Sequence, residues 1–111
     1  MLRRTERTVE KYMKAGAMMR LYKNLGTRLY VEISGVLSAA EQDKMRRALN
    51  KIDEVCSKAE DNMFRDHPGL SDQYIDVFYG NVGDDPRNEV DRKVLGLARE
   101  VADGLFKRKG C

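Results

Sequence analysis

The feature that most constrains this fold is an apolar stripe between residues 38 and 66. Its members recur at gaps of 4, 3, 4, 3 and 4 and are Met45, Leu49, Ile52, Cys56, Ala59 and Met63. An α-helix returns to the same side every 3.6 residues, so this spacing places all six side chains on one helical face. A helix of this length spans about 40 Å and cannot bury its apolar face alone. The stripe therefore predicts a long helix packed against other segments of the chain.

The start of this helix has the strongest local signal in the sequence. Ser38 and Glu41 stand at the spacing of a capping box, in which each side chain accepts a hydrogen bond from the other residue's backbone N–H. Pro68 disfavours the α conformation in the residue before it, so the helix should end near Asp66. We therefore predict a helix over residues 39–66.

The preceding segment predicts a second long helix, over residues 5–34. Its apolar residues again repeat at gaps of 3 and 4, and it contains no proline. Gly26 is the weak position, because glycine costs a helix up to about 1 kcal/mol relative to alanine. Beyond Gly26 the apolar residues also alternate as in a strand, which leaves a break there as an alternative. The short connection to the next helix favours an antiparallel hairpin.

Two further helices are predicted in the last third of the chain. Over residues 71–79, Ser71 is a suitable N-cap for a short helix, although the apolar residues of this segment also alternate as in an extended chain. Over residues 86–108, Asp85 is a suitable N-cap and Pro86 suits the first helical position. This last helix has an apolar stripe wide enough to contact two neighbours.

Composition supports a single helical domain of residues 1–111. Hydrophobic residues make up 41% of the chain and charged residues 35%, a balance typical of soluble globular proteins. No apolar run approaches the ~20 residues that span a bilayer, and no secretory signal is recognisable, so we expect no membrane association and a cytoplasmic location. The predicted fold class is all-α: a small helical bundle of two long antiparallel helices, a short helix and a C-terminal helix.

The sequence contains no recognisable catalytic or cofactor site. His67 is the single histidine, and neither Cys56 nor Cys111 lies at metal-ligand spacing from it, so we expect an ordinary turn residue and no metal. Motifs for phosphate binding, dinucleotide binding, zinc proteolysis and serine hydrolysis are missing. We therefore expect neither enzymatic activity nor a cofactor.

Charge is unevenly distributed, although the net charge is only +3. Residues 1–31 contain eight basic and two acidic side chains, whereas residues 67–91 contain one basic and six acidic. Four cations on one side of the first helix form what we call the basic stripe: Arg4, Arg7, Lys11 and Lys14. Such a stripe attracts phosphate backbones. In an up-and-down bundle it also lies beside the acidic segment of residues 66–91, which favours intramolecular neutralisation.

Two functional hypotheses follow. The first is a non-catalytic protein-binding module, a small regulator, inhibitor or adaptor that occludes or bridges a partner protein. Its basis is an adaptable groove of methionines and tyrosines, and the wide apolar stripe of the last helix, which also leaves homodimer formation open. The residues of this groove are Met13, Met18, Met19, Met45 and Met63, with Tyr12 and Tyr22. Core packing is the alternative role for residues at this spacing. The alternative is a nucleic-acid-binding accessory protein that uses the basic stripe, whose four residues are the candidate partner-binding residues.

Overall fold

Three α-helices make up the fold in a computed structural model, which describes residues 3–83 and 85–105 apart from the side chain of Arg4. The helices are α1, Val9–Ile33; α2, Ala39–Asp66; and α3, Glu89–Leu105. Single 3-10 turns lie at Arg4–Glu6, Ser34–Val36 and Asp72–Tyr74. No strand occurs in the described residues. The fold is therefore an all-α bundle, as the sequence predicts.

α1 continues unbroken through Gly26, where the sequence left a break as an alternative. A Cβ on Gly26 would lie 2.7 Å from Leu49 Cδ2, so glycine allows α1 and α2 to approach closely at this point. α1 begins at Val9, later than predicted. The reason is local, because Thr8 Oγ1 accepts a hydrogen bond from the Lys11 N–H (3.2 Å) and caps the helix there.

α2 covers the same residues, 39–66, as the helix predicted from the sequence. The Glu41 N–H donates to Ser38 Oγ (3.2 Å), and the Ser38 N–H donates to Glu41 Oε1 (2.8 Å), which completes the capping box. These bonds to Ser38 lower the pKa of Glu41, since they favour its ionised form. α2 runs antiparallel to α1, because Asp66 at its C-terminal end pairs with Arg7 just before α1 (2.7 Å).

The segment that follows α2 differs from the prediction. The short helix expected over residues 71–79 is reduced to one 3-10 turn, Asp72–Tyr74, followed by further turns. The physical reason lies in the backbone carbonyls. Those of Ser71, Asp72, Tyr74 and Asp76 accept from the N–H three residues further on, as in 3-10 turns, rather than four further on as in an α-helix. Arg20 of α1 also donates to the carbonyl oxygens of Asp76 and Val77, which ties these turns to α1.

α3 also begins later than the predicted range of 86–108. Asn88 takes the capping role expected of Asp85, because Asn88 Oδ1 accepts a hydrogen bond from the Asp91 N–H (2.8 Å). The Arg87 N–H donates outside the helix, to Asp91 Oδ2 (3.0 Å), which fixes the chain just before α3. The last predicted turn lies outside the described residues.

The core lies where α1, α3 and residues 76–82 meet the C-terminal half of α2. Its buried apolar residues come from all of these parts: Tyr12, Met13, Ala17, Cys56, Met63, Val77, Phe78, Val90, Val94 and Ala98. Within the stripe of α2, Cys56 and Met63 are fully buried, whereas Met45 and Ile52 in the first half are only half-buried. The hairpin therefore has a tip, the end near the connection between α1 and α2, that other elements bury poorly. Its base, the end formed by the start of α1 and the end of α2, is well buried.

Candidate protein-binding face

One side of the hairpin is left uncovered by the rest of the described chain. Apolar side chains recur at gaps of 4, 3 and 4 on α1 and at gaps of 3, 4 and 3 on α2, so each set occupies one side of its helix. We call this surface the open face. Its residues are Met18, Tyr22, Leu25 and Leu29 of α1, and Met45, Ala48, Ile52 and Val55 of α2.

A groove of about 180 Å³ runs between the two helices on the open face. Most residues of the open face line it, together with Gly26 and Leu49, where the helices approach closely. Leu25, Tyr22 and Leu29 are 62%, 58% and 45% exposed. Contiguous apolar surface of this kind on a soluble protein usually marks an interaction site. The open face is therefore the strongest candidate functional surface of the described chain.

The opposite side of α1 is covered by α3 and by residues 76–82. Met13 and Ala17 on this side are buried. Gly16 permits the close approach, because a Cβ on Gly16 would lie 2.4 Å from the Val77 carbonyl oxygen. The two sides of α1 are thus similarly apolar, but only one of them is buried by other elements.

A buried ion pair holds α3 on the covered side. Arg20 Nη2 lies 2.7 Å from Asp91 Oδ1, and the two side chains are 1% and 4% exposed. Arg20 Nε also donates to the Val77 carbonyl oxygen (3.0 Å). Burial alone would raise the pKa of Asp91, but the hydrogen bond from the Arg87 N–H and the charge of Arg20 outweigh burial and lower the pKa. The pair therefore ties three parts of the chain together as a charged unit.

Asn24 extends this anchor towards the tip of the hairpin. Its Nδ2 donates to the Gly80 carbonyl oxygen (3.5 Å), and its Oδ1 accepts from the Val82 N–H (2.8 Å). Gly80 has a φ of +126°, and a Cβ there would lie 2.6 Å from Arg87 Nη2, so this turn requires glycine. Arg20 and Asn24 thus draw the loop to the covered side and leave the open face free.

The four cations of the basic stripe lie in different surroundings. Arg7 Nε is 2.7 Å from Asp66 Oδ2, and the Asp66 carboxylate is buried. Lys11 and Lys14 are exposed on α1, and the side chain of Arg4 lies outside the described part of the chain. Of the intramolecular neutralisation expected for the basic stripe, the structure shows one pair, between Arg7 and Asp66 at the end of α2.

Asp66 also ties Tyr12 and His67 to the start of the hairpin. Tyr12 Oη donates to Asp66 Oδ2 (2.5 Å), and burial, together with this carboxylate, raises the pKa of Tyr12. His67 Nε2 lies 2.6 Å from the Arg7 carbonyl oxygen, which can only accept, so this nitrogen carries the proton. The polar groups of Tyr12, Asp66 and His67 thus form hydrogen bonds within the chain. Among the described residues, no three His, Cys, Asp or Glu side chains are grouped as metal ligands.

Comparisons with known proteins leave the open face to be interpreted from its own geometry. No protein-family model, curated protein or solved structure matches the chain. Within the described ranges, no helix has the length and apolar character needed to cross a membrane. The function is therefore inferred from exposure, charge and packing.

Sequence reasoning missed the Arg20–Asp91 pair and located the binding groove only in part. Of the residues expected to line it, Met18, Tyr22 and Met45 lie on the open face, whereas Tyr12, Met13 and Met63 are buried in the core. A signal for the pair was present, because Arg20 and Asn24 continue the spacing of Met13 and Ala17 and place polar groups on an apolar side. The signal for the open face was the breadth of the apolar surface on α1, which exceeds what one neighbour can cover. Neither pattern specifies which side receives a partner.

Proposed function

We propose that this chain is a non-catalytic protein-binding module that receives a partner protein on its open face. The observation that carries the proposal is the exposure of Tyr22, Leu25 and Leu29 along a groove between two long helices. A partner bound there would be occluded or bridged to another protein, which is the mode of action of a small regulator, inhibitor or adaptor.

The continuity of the supporting helices strengthens this proposal. α1 continues through the groove without a break, and α2 begins at the capping box of Ser38 and Glu41. The Arg20–Asp91 pair fixes the other side of α1. A preformed surface loses little conformational entropy when it binds, so its apolar contacts contribute more fully to affinity.

The basic stripe supports the alternative function, nucleic-acid binding, less well. A phosphate would have to compete with Asp66 for the guanidinium of Arg7. Lys11 and Lys14 are exposed, but two lysines release few counterions and give weak, strongly salt-dependent binding. Nucleic-acid binding therefore stays the second hypothesis.

Affinity capture from the native cell, with the full chain as bait, tests the proposal. Leu25→Ser removes an apolar contact from the middle of the open face. Val36→Ser is the matched control, because Val36 is 83% exposed and lies outside the open face. We expect a partner protein that binds the native chain and the Val36→Ser variant, resists nuclease treatment and is lost with Leu25→Ser. Circular dichroism should show equal helix content in all three chains.

Two results contradict the proposal. A partner retained by Leu25→Ser at native yield would place binding elsewhere on the molecule. A partner released by nuclease would show that nucleic acid bridges it to the chain, and loss of that bridge in a Lys11→Glu/Lys14→Glu variant would favour the basic stripe.

A further inference from the structure

The cations that border the open face indicate what kind of partner it fits. On α2, Lys44, Lys51 and Lys58 recur every seven residues, so they follow one edge of the open face. On α1, Lys14 and Arg28 occupy the outer edge in the same way, four turns apart. All five side chains are exposed. The apolar groove therefore lies between two basic edges.

Few acids neutralise these edges. Among the described residues, only Lys51 of the five cations forms an ion pair, with Glu54 at 3.5 Å, and both of these side chains are largely exposed. By helical position, Glu32 and Glu41 lie near the open face at the hairpin tip. Glu54 and Asp61 line a shallow groove with Lys58, and Glu10 and Glu100 line one with Lys14, but among the described residues none of these acids forms an ion pair with either lysine. Glu41 is already engaged by the Ser38 N–H. The charge along the groove is therefore available to a partner.

We propose that the open face binds an amphipathic α-helix of a partner protein, with acidic residues flanking the apolar stripe of that helix. This inference rests on the proposed function and specifies its partner. The bordering cations extend over about four helical turns, or roughly 21 Å, which matches a docked helix of about 14 residues. A helix laid into a groove between two helices is a common recognition mode, and it also adds the missing wall of a bundle.

A second copy of this chain fits the open face less well. In a two-fold dimer the same surface packs against itself, so the basic edges of one copy would lie against those of the other. Like charges at such flanking positions oppose pairing, whereas glutamates and aspartates there would favour it. Charge complementarity therefore selects an acidic helix as the occupant.

Synthetic peptides titrated against the full chain test this inference by fluorescence anisotropy. The first is a labelled amphipathic helix with leucines on its apolar stripe and glutamates on both flanks. The second has lysines in place of the glutamates, and the third is a scrambled version of the first. We expect saturable 1:1 binding of the acidic helix, about tenfold tighter at low salt than the lysine peptide, because several exposed charge pairs each contribute modestly. The preference should shrink in 1 M salt, where the Debye length is about 3 Å.

Charge reversal on the protein provides the matched control. Lys44→Glu/Lys58→Glu changes one edge of the open face, whereas Arg92→Glu/Arg99→Glu changes the net charge equally at exposed positions on α3. We expect the first variant to lose or reverse the preference for the acidic peptide and the second to keep it. Leu25→Ser should weaken the binding of the acidic peptide.

Three results of the peptide titrations overturn the acidic-helix inference. They are the lack of saturable binding by the acidic peptide, equal affinity for the acidic and lysine peptides, and a preference that Lys44→Glu/Lys58→Glu leaves unchanged. A dimer in sedimentation equilibrium that Leu25→Ser dissociates also overturns it, in favour of a second copy. If a cellular partner is still captured by the native chain and lost with Leu25→Ser, the proposed function stands while this inference fails.

Discussion

On the covered side of α1, Met13 and Ala17 retain 6% and 0% of their exposure, whereas Leu25 and Tyr22 on the open face retain 62% and 58%. Both sides present apolar residues at helical spacing, and both belong to one unbroken helix. Hydrophobicity alone therefore does not account for the difference. The covered side differs in having Arg20, a charged residue with a buried partner on α3.

Polar contacts decide which side of α1 is covered. Arg20 binds Asp91 and the Val77 carbonyl oxygen, and Asn24 binds the backbone at Val82. Hydrophobic burial is non-directional. Hydrophobic burial stabilises the packed state, whereas these polar contacts determine where α3 and residues 76–82 lie. Changes to the anchors should therefore disturb the fold, whereas changes to the open face should leave it intact.

The largest effect is expected when Asp91 loses its charge. Asp91→Asn leaves the Arg20 guanidinium buried without a counter-ion, a change that typically costs about 3–5 kcal/mol. Urea denaturation measures this loss in the free energy of unfolding. As the control, Arg20→Met/Asp91→Leu buries no charge and should cost less than Asp91→Asn. The native pair is itself incompletely satisfied, because Arg20 Nη1 and Asp91 Oδ1 have no hydrogen-bond partner within the described residues. A loss below about 1 kcal/mol for Asp91→Asn would contradict an anchoring role for the pair.

The same pair predicts an acid-dependent loss of stability. Because the folded state lowers the pKa of Asp91, the unfolded chain binds this proton more tightly. The stabilisation is fully present above the unfolded pKa of about 3.9 and is lost as pH falls through the lower folded pKa. The stability difference between the native chain and Asp91→Asn should therefore stay constant down to about pH 4 and shrink below it. A difference that instead grows in acid would reverse this assignment.

Truncations in the buried core and on the open face should differ in cost. Met63→Ala removes a fully buried side chain and should cost about 2–5 kcal/mol. Leu25→Ala removes a side chain that is mostly exposed and should change the free energy of unfolding by at most about 0.5 kcal/mol. Denaturant midpoints at two protein concentrations measure both. A large, concentration-dependent cost for Leu25→Ala would mean that another copy covers the open face in solution.

Patterns of neighbouring residues predict the helices but do not predict which faces of the helices other elements bury. The stripe of α2 and the Ser38–Glu41 capping box define that helix from neighbouring residues alone. In place of the helix expected over residues 71–79, the chain forms turns whose carbonyl groups bind Arg20, which is distant in sequence. For the same reason no local pattern distinguishes the open face from the covered side. That distinction depends on long-range contacts with Asp91.

Gly16 tests how closely the covered side is packed. A Cβ on Gly16 would lie 2.4 Å from the Val77 carbonyl oxygen, so Gly16→Ala must move the backbone and should cost about 1–3 kcal/mol. Gly96→Ala is the matched control, because nothing lies within 4 Å of a Cβ on this exposed residue of α3. It should stabilise the protein by up to about 1 kcal/mol through helix propensity. Thermal unfolding of both variants measures the contrast, and a Gly16→Ala variant as stable as Gly96→Ala would refute the close approach.

The most local effect is expected at the tip of the hairpin, where capping bonds replace contacts with other elements. Ser38→Ala removes the hydrogen bond to the Glu41 N–H and should cost about 1 kcal/mol. Because helix segments with few buried contacts open locally, amides of residues 42–50 should exchange hydrogen faster than those of residues 56–63 in the native chain. Ser38→Ala should accelerate the first group and leave the second nearly unchanged.

Ser71→Ala is the control for this capping effect. Ser71 precedes a 3-10 turn but makes no side-chain capping bond there, so its removal should leave exchange at the tip unchanged. If Ser38→Ala instead accelerates residues 42–50 and 56–63 equally, the hairpin opens as one cooperative unit. The weakly covered tip would then share the stability of the base, and its exposed groove would be as rigid as the core beneath α3.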